Sequence, residues 1–211
     1  MAMFAPGLRV VAALLLVAGA GGCDWLTTAV PESPSPGKVA RTVSLTEPDS
    51  VLVNIKEAFR VGSVQAYMRG IMQTSGGATE EFLAIFDQAD AQVLPTDAAG
   101  RELVNGGWHS VQERNALTSM MNSVASSEPD TGRAVVVKDQ DLGDLAEGRV
   151  LLITYRVNIP LGSSPYIAGT ARLTMKRNTA GEWQILIWED HREQASNPRD
   201  SWGAMRFKNR S

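Results

Sequence analysis

Apolar and polar residues alternate with a helical period in the first part of the folded region. Apolar positions recur every three or four residues from Thr46, the predicted N-cap of a first helix, to Gly62, which ends that helix. Ser63 is predicted to cap a second helix, whose apolar face continues to Met72 and which the Gly76-Gly77 pair ends. The chain is therefore expected to begin its fold with two consecutive helices.

The pattern becomes less regular after this helix pair. Residues 81–86 (EFLAIF) are short and apolar, and we predict a strand. Residues 87–107 are rich in Asp, Ala and Gly, which favours a long loop. Residues 108–124 return to helical spacing, and the apolar face of this third helix is predicted to contain Val111, Leu117, Met120, Met121 and Val124.

From residue 133 onward, strand patterns replace helical ones. Four segments either alternate between apolar and polar residues or are rich in β-branched residues, namely 133–138, 148–160, 166–177 and 182–193. Short polar loops join them, which favours an antiparallel sheet. Helices followed by a run of strands predict an α+β fold rather than a doubly wound one.

The N-terminal 22 residues have the organisation of a secretory signal peptide. An apolar run, VVAALLLV at 10–17, is followed by small residues, and it is too short to span a bilayer of ~30 Å. The sequence Ala20-Gly21-Gly22-Cys23 resembles the lipobox of bacterial lipoproteins, with Ala20 in place of the usual Leu. This resemblance implies that Cys23 carries acyl chains, such as palmitate, and that the lipid bilayer is a partner. The expected location is the cell envelope, with the domain on the periplasmic or extracellular side.

The lipidated Cys23 is followed by a segment rich in Pro and Ser. Residues 23–45 cannot bury a core and are predicted to be a tether, which leaves 46–211 as a single folded domain. The chain has 20 basic and 23 acidic residues, for a net charge of −3. Because no dense basic run exists, nucleic acid is not expected as a partner.

Four segments carry a resemblance to a known family. The segment 45–59 looks like the opening helix of small bacterial lipoproteins with a nuclear transport factor 2-like fold. The strands 169–177 and 181–190 look like the last hairpin of these proteins, and 201–206 resembles their closing segment. Ketosteroid isomerase and SnoaL-like proteins share this fold. The resemblance implies a cone in which a strongly curved antiparallel sheet wraps around the N-terminal helices and leaves a pocket at its open end.

Chemistry of the isomerase type needs a carboxylate base and a hydroxyl that stabilises an oxyanion. Strand alternation places Trp188 and Asp190 on one face, and Glu189 and His191 on the other. Asp190 is the best base if it faces the pocket, and otherwise it would form an ion pair with an arginine. The carboxylates considered are Glu81, Asp87, Asp90, Glu189 and Asp190, the hydroxyls are Tyr67, Tyr155 and Tyr166, and the arginines are Arg156, Arg172 and Arg192.

The aromatic residues admit two interpretations. Trp108, Trp183, Trp188 and Trp202 can fill the core, or Trp188 can line a pocket with Tyr155 and Asp190 that binds an apolar ligand.

The remaining polar residues do not suggest a second site. His109 is expected to be a solvated residue in a first helical turn, Ser201 a loop residue, and Arg199 and Arg206 solvated or paired. Two histidines and scattered acids lack metal-ligand spacing, so neither a metal nor a cofactor is expected.

Three functions remain open at this point. The first is an envelope lipoprotein that binds a small apolar ligand or an envelope protein without catalysis. The second is an isomerase, dehydratase or cyclase that uses Asp190 or Glu189 as base with Tyr155. The third is a structural subunit of an envelope complex, which would expose a large apolar patch or a sheet edge.

Overall fold

The computed structural model describes residues 39–73, 80–93, 97–125, 133–145, 148–158, 167–192 and 201–210. Six helices lie in these segments: α1 (Pro48–Val61), α2 (Val64–Met68), α3 (Gln88–Val93), α4 (Ala98–Gly106), α5 (Ser110–Ala125) and α6 (Trp202–Lys208). Five strands accompany them: β1 (Leu83–Ile85), β2 (Ala134–Leu145), β3 (Gly148–Val157), β4 (Ile167–Arg177) and β5 (Trp183–Arg192).

The five strands form one mixed sheet in the order β1-β5-β4-β3-β2. Strands β2 to β5 pair antiparallel with their neighbours, and β1 pairs with β5 in parallel, with Ala84 opposite Trp188. The register shifts twice along β2–β3 and once in β4–β5. Such irregularities bend strands and increase twist, so they curve the sheet.

The core lies between the helices and one face of this sheet. Alternate residues of β3 are buried on that face, beginning at Leu151 and ending at Val157. Helix α1 buries one side against β2 and β5 and exposes the other. The helices with their curved sheet confirm the predicted α+β fold, but the sheet is mixed rather than wholly antiparallel because β1 joins it in parallel.

Several helix boundaries differ from the predictions for a local reason. Glu47, not Thr46, is the N-cap of α1, because Pro48 occupies the first turn. Gly62 ends α1 in the left-handed conformation, and Ser63 caps α2 by accepting a hydrogen bond from the Ala66 N–H, both as predicted. Helix α2 ends at Met68, since residue 71 bridges to β5 instead of continuing the helix.

The predicted loop at 87–107 is wrong, because most of it forms α3 and α4. Asp87 accepts a hydrogen bond from the Ala89 N–H, and Asp97 accepts one from the Gly100 N–H. Side chains of Asp at these positions satisfy the free N–H groups of a first helical turn. The abundant Asp that favoured a loop therefore begins two short helices.

Packing contacts begin ahead of Thr46. Leu45 is fully buried and its carbonyl accepts a hydrogen bond from the Trp183 N–H, while Val43 exchanges two hydrogen bonds with the Asn54 side chain. The last residues assigned to the tether therefore contact α1 and β5. Within the described segments, no helix is both long enough and apolar enough to cross a membrane.

Candidate functional site

The short helix α6 lies inside the domain rather than on its surface. Six consecutive residues, Trp202 to Phe207, are buried. Ser201 is the N-cap, and its hydroxyl oxygen accepts a hydrogen bond from the Ala204 N–H at 3.0 Å. A helix of seven residues is not stable in water by itself, so tertiary contacts must hold α6 in place. We call the space that it fills the chamber, which is lined by Phe59, Tyr67, Tyr155 and Trp188.

The ring of Trp202 contacts all four lining residues. It stacks on Trp188 with ring centroids 5.2 Å apart, and Phe59 and Tyr155 meet it edge-on at 5.3 and 5.7 Å. Tyr67 stacks at 6.1 Å. Aromatic pairs at these separations are stabilising beyond the area that they bury. Trp202 thus packs against Trp188 and Tyr155, the two aromatic residues predicted to line a ligand pocket.

Asp190 and Tyr155 meet at the N-terminus of α6. The Tyr155 hydroxyl donates to Asp190 Oδ1 at 2.5 Å and accepts a hydrogen bond from the Trp202 N–H at 3.1 Å. The Gly203 N–H donates to Asp190 Oδ2 at 2.7 Å. Both side chains are nearly inaccessible to solvent. The two groups named as possible base and oxyanion donor therefore bind backbone groups of α6.

Burial sets the protonation behaviour of this pair. Desolvation raises the pKa of Asp190, and the charge of Arg206 and the hydrogen bonds from Tyr155 and Gly203 only partly offset it. Desolvation, followed by the charge of Asp190, holds the pKa of Tyr155 well above its usual range. A raised carboxyl pKa beside a tyrosine is the pattern of a general acid or base.

A second carboxylate, Asp90, contacts the same end of the helix. The Ser201 hydroxyl donates to Asp90 Oδ2, and both residues are buried. Ser201 thus binds a carboxylate of α3 while it caps α6, which is a more specific role than the loop residue predicted. Asp90 also contributes to the raised pKa of Asp190 through like-charge repulsion.

The other end of α6 is held by a buried ion pair. Arg206 Nε and Nη2 donate to the two carboxylate oxygens of Glu113 at 2.6 and 3.0 Å. Tyr67 and Trp108 donate to the same carboxylate, each at 2.9 Å. The two charged side chains are 1% and 0% exposed. Burial is the largest single effect and lowers the pKa of Arg206, but the charges of Glu113, Tyr67 and Asp190 together with the hydrogen bond to Glu113 outweigh it, so the net pKa is raised.

The interactions of α6 determine what this chemistry can do. A general base must lie within hydrogen-bond reach of a substrate proton. Both oxygens of Asp190 already accept hydrogen bonds, one from Tyr155 and one from α6. Glu113 accepts from four donors. With α6 in the chamber, these carboxylates hold the helix and are buried from solvent.

Other predicted residues lie away from the chamber. Glu189 forms an ion pair with Arg172 at 2.9 Å on the opposite face of the sheet from Asp190. Arg172, one of the three arginines considered as a partner of Asp190, therefore pairs with the neighbouring residue instead. His191 is exposed on that same outer face, as the strand alternation predicts. His109 is not simply solvated, because its Nδ1 lies 3.1 Å from the Phe82 carbonyl oxygen.

The pair of Glu113 and Arg206 was not predicted as a site. A signal for Glu113 exists in the sequence: it precedes Leu117 by four and Met120 by seven, so it lies on the apolar face of α5. A carboxylate on an apolar helix face needs a buried partner. Val111, placed on that face by the prediction, is 61% exposed, so the true face is rotated toward Glu113.

Several predicted residues lie outside the described segments. They are Cys23, Tyr166, Arg199 and the side chain of Arg192. Among the residues that are described, no cluster of three or more His, Cys, Asp or Glu is arranged to hold a metal ion.

No family model matches the sequence, and no curated protein matches it. The chain is similar to an NTF-2-like protein of unknown function from Shewanella oneidensis, with 13% identity over 67% of this chain and 93% of that one, at a TM-score of 0.45. It is also similar to a domain of unknown function with a cystatin-like fold from Nostoc punctiforme, with 13% identity over 70% of this chain and 75% of that one, at a TM-score of 0.44. These two structures are described as NTF-2-like and cystatin-like, and likeness of this degree assigns neither a family nor an activity.

Proposed function

We propose that this chain is a lipid-anchored lipoprotein of the cell envelope whose domain binds a partner without catalysis. The observation that carries the non-catalytic part is the position of α6. It fills the chamber with Trp202 and binds both Asp190 and Tyr155 through its backbone. An enzyme of this fold would need that space for its substrate.

The anchor is supported by the sequence around Cys23. The cysteine, the only one in the chain, follows an apolar run and a series of small residues. Thioether and amide linkage of acyl chains at this position would hold the protein on a membrane, because more than one chain gives stable attachment. The Pro- and Ser-rich residues after Cys23 then space the domain from the bilayer.

Binding outside the chamber is supported by the surface of the sheet. The outer face has a groove of about 360 Å³ whose lining includes Leu152, Thr170 and His191. Val135 and Val137 of the edge strand β2 are about half exposed beside it. A small ligand fits a groove of this size. An envelope protein could instead bind to the exposed edge strand, as expected if the domain were a structural subunit of a complex.

Lipidation can be tested by metabolic labelling in a bacterial host. The wild-type chain is expected to incorporate labelled palmitate and to fractionate with membranes, whereas Cys23→Ala is expected to do neither. A matched control combines Cys23→Ala with Asp24→Cys, which restores a cysteine one position late and should remain unlabelled. Labelling of Cys23→Ala would contradict the proposed anchor.

One observation favours an enzyme as the second candidate. The hydrogen bond of 2.5 Å between Tyr155 and Asp190, with the raised pKa of the carboxyl, matches the acid–base pairs of isomerase-type sites. This function requires α6 to leave the chamber during turnover. The partner-binding proposal requires Asp190→Asn to change stability alone, whereas the enzyme proposal requires this variant to lose activity as well.

A further inference from the structure

Four buried nitrogen donors have no hydrogen-bond acceptor among the described residues; one is Trp183 Nε1 near the start of β5, and the other three belong to α6 and to the Trp188 ring that packs against it. These three are Trp188 Nε1 on β5, and Trp202 Nε1 and Arg206 Nη1 on α6. The side chains are 0%, 1% and 1% exposed, so bulk water does not reach them. Buried N–H groups without an acceptor are costly and uncommon in folded proteins. Three of them in one chamber indicate that an acceptor binds there.

The three side chains that carry these donors contact one another. The guanidinium carbon of Arg206 is 5.1 Å from the Trp188 ring centroid and 5.7 Å from that of Trp202. The two indole rings stack on each other at 5.2 Å, which does not engage their N–H groups because these lie in the ring planes. Glu113 binds Nε and Nη2 of Arg206, so Nη1 is the guanidinium nitrogen left over.

The charges around these donors select the kind of acceptor. The cation of Arg206 already has a counter-ion in Glu113 at 2.6 Å. Asp190 interacts electrostatically with Arg206, and Asp90 with Asp190. A bound anion would therefore face three carboxylates and one neutralised cation. A cation is excluded because all three groups are donors.

We infer that the chamber contains a binding site for a neutral oxygen acceptor, formed by Arg206 Nη1, Trp188 Nε1 and Trp202 Nε1. Two sources share this chemistry. One is an ordered water molecule, which commonly bridges buried polar groups in folded proteins. The other is a carbonyl or hydroxyl oxygen of a small neutral compound that is retained beside α6. The site differs from the Asp190–Tyr155 pair, whose polar atoms α6 already engages.

A crystal structure of the purified full chain tests the site directly. Electron density is expected within hydrogen-bond distance of Arg206 Nη1 and of at least one of the two indole nitrogens. A single spherical peak identifies water, and extended density that agrees with a compound found by mass spectrometry of the denatured protein identifies a ligand. Absence of density there overturns the inference, as does an anomalous signal after a bromide soak, because that would show an anion.

Indole nitrogen NMR of the full chain provides a second measurement that does not need crystals. The indole protons of Trp188 and Trp202 are expected to show cross-relaxation with bound water or ligand. Trp202→Phe removes one donor and keeps an aromatic ring, so it should shift the Trp188 signal. Trp183→Phe is the matched control, since that ring packs against Arg177 and should leave the Trp188 signal in place. If neither wild-type indole proton shows such contact, the site does not exist.

Discussion

Replacing Glu113 with glutamine removes one charge from the buried pair that holds the end of α6. The carboxylate accepts four hydrogen bonds, from Tyr67, Trp108 and two nitrogens of Arg206. The amide oxygen of glutamine can accept two of them, and its NH2 group would face the remaining donors. Arg206, which is 1% exposed, would also lose its counter-ion.

The size of the effect follows from this geometry. Removing one partner of a buried, hydrogen-bonded ion pair costs about 3–5 kcal/mol of unfolding free energy, because the other charge stays buried. In a domain of 150–250 residues each kcal/mol lowers the melting temperature by roughly 2–4 °C. The Glu113→Gln variant is therefore expected to melt roughly 6–20 °C below the wild type.

Urea and thermal denaturation followed by circular dichroism measure this difference. Asp49→Asn is the matched control, because Asp49 forms a pair with Lys138 of almost the same length, 2.7 Å, at the surface. Exposed pairs contribute about 1 kcal/mol or less, so this control should lose little stability. The two variants separate the effect of burial from the effect of ion-pair length.

A double variant tests the reasoning further. Glu113→Gln with Arg206→Met leaves no buried charge at this end of the helix, so its loss of stability should be smaller than the sum of the two single losses. The reasoning is refuted if Glu113→Gln costs no more than Asp49→Asn. It is also refuted if the losses in the double variant simply add.

Two further variants test the opposite end of α6. The folded state raises the pKa of Asp190, chiefly by burial. The free energy of unfolding of the wild type relative to Asp190→Asn should therefore fall as pH rises from about 4, and it should level off above the raised pKa. Urea titrations across this pH range measure the sign, and a rise of this difference with pH would contradict the reasoning. A Cβ at Gly203 would lie 2.8 Å from Phe86 Cδ1, so Gly203→Ala should lose about 1–3 kcal/mol by overpacking. Gly106→Ala, with no atom within 4 Å of the added carbon, should not lose stability in the same denaturation assay.

Residues with a clear local pattern were predictable, and the sheet shows why. Alternation in 148–157 and the turn near Gly181 place β3, β4 and β5 within a few residues of their observed bounds. Trp188 and Asp190 share a buried face as the two-residue period requires. The parallel pairing of β1 with β5 was not predictable, because a strand of three residues has too little pattern to indicate its partner.

The candidate site depends on contacts that sequence spacing does not report. Arg206 and Glu113 are 93 positions apart, and nothing local to Arg206 indicates that it is buried. The segment 201–208 is too short for a helical period to be recognised, so the sequence predicts no helix there and shows only the resemblance of 201–206 to a closing segment. The charge of Glu113 on an apolar helix face was the available signal, and a search for buried charges would have found it.

The position of α6 also determines when the domain finishes folding. Residues 201–208 leave the ribosome after every other element described, yet they complete the interior. Until they arrive, Glu113 and Asp190 lack the donors that α6 supplies, and contacts across 93 positions form slowly because a long loop must close. Because synthesis proceeds from the N-terminus, the chain therefore stays incompletely folded until α6 has been made and has packed into the interior. Such a delay suits a polypeptide that, under the proposed anchoring, must be threaded through a membrane before it folds.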